Sequence, residues 1–117
     1  MRFLFVLHDP PYGTERTYNG LRWARQMLTN AEENEVRVFL IGDAVGSIRA
    51  GQKTPAGFYN IERMVQGLLD NGALIGICGS CMDARGIDEQ DVIAGSHRSS
   101  MKELAGWTEW ADRAINV

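Results

Sequence analysis

The chain has 117 residues, enough for one hydrophobic core and too few for two. Its 44% hydrophobic and 23% charged content is ordinary for a soluble globular domain, and the net charge is -3 with a pI of about 5.3. All basic residues except Lys53 and Lys102 are Arg, and they are scattered without a basic run, so the electrostatic footprint of a nucleic-acid binder is missing.

The N-terminal MRFLFVLHDPP has a short apolar core and no small-residue cleavage site, so neither a signal peptide nor a membrane span is expected there. Two cysteines without a secretory signal point to a reducing, cytoplasmic setting. Residues 2–7 (RFLFVL) are continuous in Phe, Leu and Val after Arg2, as in a strand of a parallel sheet buried on both faces. His8-Asp9-Pro10-Pro11 stops it. After Tyr12-Gly13-Thr14, the stripe Leu21, Ala24, Met27, Leu28 and Ala31 predicts a helix closing near Asn34.

Residues 36–41 (VRVFLI) predict a second strand. Residues 42–58 are glycine-rich and aperiodic, apart from a possible helical turn at 44–49, and a connection of that length suggests cover over a site. Asn60 fits an N-cap for a helix carrying Ile61, Met64, Val65, Leu68 and Leu69 at helical spacing, closed by Asn71-Gly72.

Residues 73–78 (ALIGIC) predict a third strand that ends in Cys78 and turns through Gly79. Ser80-x-x-Asp83 reads as a capping box, which starts a short helix at Ser80 and ends it at Arg85-Gly86. Residues 91–94 (DVIA) are expected to form a fourth strand and 95–100 a polar loop. A helix over 101–112, with Leu104, Trp107, Thr108 and Ala111 on one side, leads to a closing strand at 113–117.

Alternating strands and helices define a single doubly wound α/β domain over residues 1–117. Right-handed crossovers bring the C-terminal ends of the strands to one edge, where such sheets bind ligands. The segments HDPPYGTE, GDAVGSIRAGQ and CGSC all leave from that edge.

The chemistry expected there is thiol chemistry. A helix N-terminus favours the thiolate, and in C-x-x-C sites the thiol titrates well below the ordinary value. Cys78 precedes the helix and Cys81 lies in its first turn, with Arg85 one turn further on. The opposing reading is a small apolar residue ending a buried strand. Zinc has weak support, since one C-x-x-C gives two ligands and His8 and His97 are the only histidines. The segment PPYGTERT could receive an anion but lacks G-x-G-x-x-G and the Walker lysine. No G-x-S-x-G occurs. No resident cofactor or metal is expected.

The stretches PYGTERTYNGLRWA (11–24), VRVFLIGDAV (36–45), GQKTPAGFYNIERM (51–64) and CGSCMDARGI (78–87) together resemble the DsrE/DsrF-like family, and most closely its YchN-type branch. The resemblance extends through ELAGWTEWADRAINV (103–117). It implies a flavodoxin-like α/β subunit, with helices on both faces of about five mainly parallel strands, that assembles into trimers or hexamers. It also implies a persulfide-bearing cysteine at Cys78, as in sulfur-relay subunits, with sulfur donor and acceptor proteins as partners.

The expected function is therefore a sulfur carrier or sulfurtransferase-like protein. Cys78 is its nucleophile and Cys81 an assisting or resolving thiol. Gly79 and Ser80 provide the turn and its N–H donors, and Tyr12, Asp43 and Arg85 are pocket candidates. The alternatives are an oligomeric binding or scaffold module, holding a small ligand under residues 42–58, and a dithiol redox protein.

Overall fold

The computed structural model describes all 117 residues. The strands are β1 (Arg2–Leu7), β2 (Glu35–Leu40), β3 (Leu74–Cys78), β4 (His97–Ser99) and β5 (Arg113–Asn116). The helices are α1 (Arg16–Asn30), α2 (Ile61–Asp70), α3 (Gly79–Ala84) and α4 (Met101–Trp110). All strands pair in parallel, in the order β4-β3-β2-β1-β5. The chain steps outward from β1 to β4, then crosses back to place β5 on the far side of β1.

The apolar runs predicted as the first three strands lie inside the sheet. Phe5, Leu7, Val38, Phe39, Leu40, Ile75 and Ile77 are fully buried. Strands enclosed on both faces need apolar residues throughout, which is why these runs do not alternate. One face carries α1 and α2, where Trp23 meets Phe5 edge to face and Leu7 packs under Gly20. The other face carries α4, whose Trp107 sits edge-on to Phe39. Gly76 makes that approach possible: a Cβ there would lie 3.1 Å from the Trp107 ring.

Asn60 caps α2 as expected, its Oδ1 accepting from the Arg63 N–H at 3.0 Å. Gly72 adopts φ +91°, the left-handed turn that follows the helix. The tryptophans of α4 are used inside the chain. Trp107 is buried, and the Arg37 guanidinium lies 3.8 Å from the centroid of the Trp110 ring.

Three expectations are corrected. The fourth strand is His97–Ser99, within the stretch predicted as polar loop, and not 91–94. Val92 forms an antiparallel bridge to Arg49, and the Ile93 N–H donates to the Ile48 carbonyl at 2.9 Å, so this apolar pair closes the core against the 42–48 segment. The real strand is an edge strand, fastened from outside by Glu103, which pairs with His97 and accepts from the Ser99 hydroxyl at 2.5 Å. Residues 42–48 form a 3-10 segment whose Ala44, Val45, Ser47 and Ile48 are fully buried. They are part of the core and not a cover. Finally, α3 begins at Gly79 with Cys78 as its N-cap, so Ser80-x-x-Asp83 is not a capping box. No helix is long and apolar enough to cross a membrane.

Candidate functional site

Strand β3 ends on Cys78, and its sulfur takes the place usually held by a serine or aspartate oxygen at a helix start. The Cys81 N–H donates to Cys78 Sγ at 3.4 Å, and the Ser80 hydroxyl lies 3.4 Å from the same sulfur. Both cysteines are free. Burial pushes the Cys78 thiol up. Hydrogen bonds from the Cys81 thiol, the Ser80 hydroxyl and the Cys81 and Ser80 N–H groups outweigh that, leaving it below its ordinary value.

Cys81 moves the other way. Burial and its hydrogen bond to Cys78 push its thiol up, while the Gly42 N–H and Arg85 pull it down less strongly. Gly42 donates to Cys81 Sγ at 3.3 Å. The pair is thus divided: Cys78 is the thiol that ionises first, and Cys81 holds its proton longer and supports it. Two like groups in contact cannot both ionise easily.

Asp43 and Arg85 stand beside this pair. Arg85 Nη2 lies 2.7 Å from Asp43 Oδ1, and Nη1 donates to the Cys81 carbonyl at 3.1 Å. The ion pair joins the end of α3 to the turn after β2, so these residues frame the thiols without touching Cys78. Gly79 and Ser80 are the first two residues of α3 rather than a turn ahead of it. Tyr12 is placed elsewhere. Its hydroxyl donates to Gln52 Oε1 at 2.5 Å and accepts from the Ile61 N–H at 3.2 Å, which ties the first loop to the start of α2.

Sequence reasoning missed Arg98. Its guanidinium forms a two-point pair with Asp83, at 2.8 and 2.7 Å, and lies flat against the Gly79 backbone. A Cβ at Gly79 would come within 2.8 Å of Arg98 Cζ. Asp83 first, and Cys78 by a smaller amount, help hold the proton on Arg98. Its only sequence signal is a lone Arg in a polar stretch, and the contact with Gly79 requires β4 to lie beside β3.

Cys78 itself is 3% exposed. The groups next to its sulfur are polar, and the Arg98 side chain against the turn is held by a carboxylate that is itself 64% exposed. No three His, Cys, Asp or Glu side chains are gathered as metal ligands; His8 pairs with Asn116 at 2.9 Å and His97 with Glu103.

A parallel five-stranded α/β sheet with a thiol capping the helix after its third strand defines the class: a cysteine-bearing, doubly wound domain. The chain belongs to the DsrE/DsrF-like family, whose model matches residues 1–117. It is similar to Protein YchN of Escherichia coli K12, with 34% identity over 114 residues covering 97% of each chain. A Methanopyrus kandleri protein, MK0008, is 36% identical over 110 residues, 94% of this chain and 88% of the relative. The crystal structure of YchN from E. coli superposes with a TM-score of 0.94 at 32% identity, covering 100% of this chain and 99% of that one. The MTH1491 structure from Methanobacterium thermoautotrophicum shares the fold at 18% identity, with a TM-score of 0.80 over 99% of this chain and 98% of that one.

Proposed function

We propose that the protein is a cytoplasmic sulfur carrier of the sulfurtransferase-like kind, holding sulfane sulfur as a persulfide on Cys78. The observation that carries this reading is the Cys78 sulfur at the N-cap of α3, its titration held below the ordinary thiol value by four donors. Membership of the DsrE/DsrF-like family agrees with it.

In the proposed loading step the Cys78 thiolate attacks the outer sulfur of a donor such as thiosulfate. A Cys78 S–S bond forms, the donor S–S bond breaks, and sulfite leaves with the electron pair. In delivery, an acceptor thiolate attacks the outer sulfur and returns Cys78 as thiolate. Both steps conserve electrons. Cys81 holds its proton at rest and donates to Cys78. After losing that proton it can attack Cys78 Sγ, expelling sulfide and leaving a Cys78–Cys81 disulfide. The donor reaches Cys78 past Arg98, whose guanidinium also suits an anionic donor. A homo-oligomer, a trimer or hexamer, is the proposed working form, and light scattering measures its size.

Intact-mass spectrometry after reduction and incubation with thiosulfate or polysulfide tests the reading. Wild type gains about 32 Da per bound sulfur, the mass of one persulfide sulfur. Cys78→Ser gains nothing, and Cys81→Ala keeps the adduct longer than wild type. A wild type that never gains mass in donor excess refutes the proposal.

A further inference from the structure

Away from the thiols, a cavity of about 350 Å³ opens between α1, α2 and the segment leading into α2. Its walls combine two features that the fold itself does not use. The first is aromatic: the Tyr18 and Tyr59 rings lie 4.3 Å apart, and Phe58 beside them is 72% exposed. The second is cationic. Arg22, Arg25 and Arg63 line the same cavity, and none belongs to any of the protein's ion pairs.

An acidic chain with 15 carboxylate side chains has left three neighbouring guanidinium groups without a carboxylate. Space has been cleared for two of them. A Cβ at Gly57 would sit 2.3 Å from Arg63 Nη1, and one at Gly67 would sit 2.6 Å from Arg25 Nη1. Arg22 lies over the Tyr18 ring at 5.5 Å and donates its one side-chain hydrogen bond to the neutral Asn19. The Tyr59 hydroxyl donates to Glu15 at 3.4 Å, which holds its ring toward α1.

We infer that this cavity binds a small organic phosphate carrying a flat ring. Guanidinium forks match phosphate oxygens in pairs, and a flat ring can stack on the exposed Phe58 and Tyr59 rings. The volume lies at the lower end of ligand sites, which suits a nucleoside monophosphate. The site is independent of the proposed sulfur chemistry and shares no residue with it.

Calorimetric titration with AMP and with phenyl phosphate tests the inference, with adenosine, phenol and inorganic phosphate as the separate halves. At least one ester should bind saturably and at least about tenfold tighter than either of its halves. Arg25→Gln/Arg63→Gln should lose at least about tenfold in affinity, and Arg25→Lys/Arg63→Lys should recover only part of it. Cys78→Ser should bind as wild type does, which separates this site from the thiols. All three arginines are exposed, so these variants should fold, and circular dichroism checks that they do. Absence of saturable binding by both esters overturns the inference, as does inorganic phosphate binding equally well. A change of oligomeric size in the Gln variant also overturns it, since the arginines would then be holding copies together.

Discussion

Replacing Met82 by Ala should loosen the thiol site from beneath. Helix α3 has only six residues, far below the length at which a helix persists in water alone. Four things hold it: the Cys78 sulfur at its start, the Arg98–Asp83 pair to β4, the Arg85–Asp43 pair at its end, and Met82, its one large side chain fully buried in the core. Truncating a buried Met to Ala costs about 2–5 kcal/mol. At about 4 °C per kcal/mol for a domain of this size, the melting midpoint should fall by about 8–20 °C. Met82→Leu conserves volume and should cost less than about 1.5 kcal/mol. Calorimetry gives the midpoint, and iodoacetamide alkylation in Cys81→Ala backgrounds reads the Cys78 thiolate. As α3 loosens, the pH midpoint of alkylation should rise toward that of an ordinary thiol. A Met82→Ala midpoint within about 3 °C of wild type would refute the claim that Met82 anchors the helix.

Alkylation also tests the division of roles between the thiols. The rate at Cys78 follows its thiolate, so it should rise with pH through a midpoint below the ordinary thiol value. Cys81→Ala removes a donor and should move that midpoint upward; a downward move would contradict the assigned hydrogen bond. Arg98→Ala should speed alkylation of Cys78 several-fold. Measured above the ordinary thiol range, where Cys78 is all thiolate, the rate reports access alone, and an unchanged rate would mean that Arg98 does not cover the sulfur. Gly76→Val should drive Trp107 off β3 and destabilise the fold by about 1–3 kcal/mol, read by urea denaturation. A neutral outcome would show that α4 has slack there.

The chain announces some of this architecture without help. The runs at 3–7, 38–41 and 73–78 carry no charged residue because both faces of a central parallel strand are buried, and that demand is local. The Asn60 cap and the Asn71-Gly72 stop are local as well, made by groups a few residues apart. The thiol at the end of the third strand follows from the same local reading. The edge strand His97–Ser99 does not, since its hydrogen bonds come from Gly76–Cys78 and its side-chain fastening from Glu103. Val92 and Ile93 are apolar for the core they cap, which imitates a strand. Arg98 over Gly79, Gly42 on the Cys81 sulfur, and the arginines gathered around Tyr18 each join residues distant in sequence. Residue type and spacing therefore determine which segments are buried and where the Cys78 sulfur falls. Which charges surround that atom depends on strand order, and only the assembled sheet decides it.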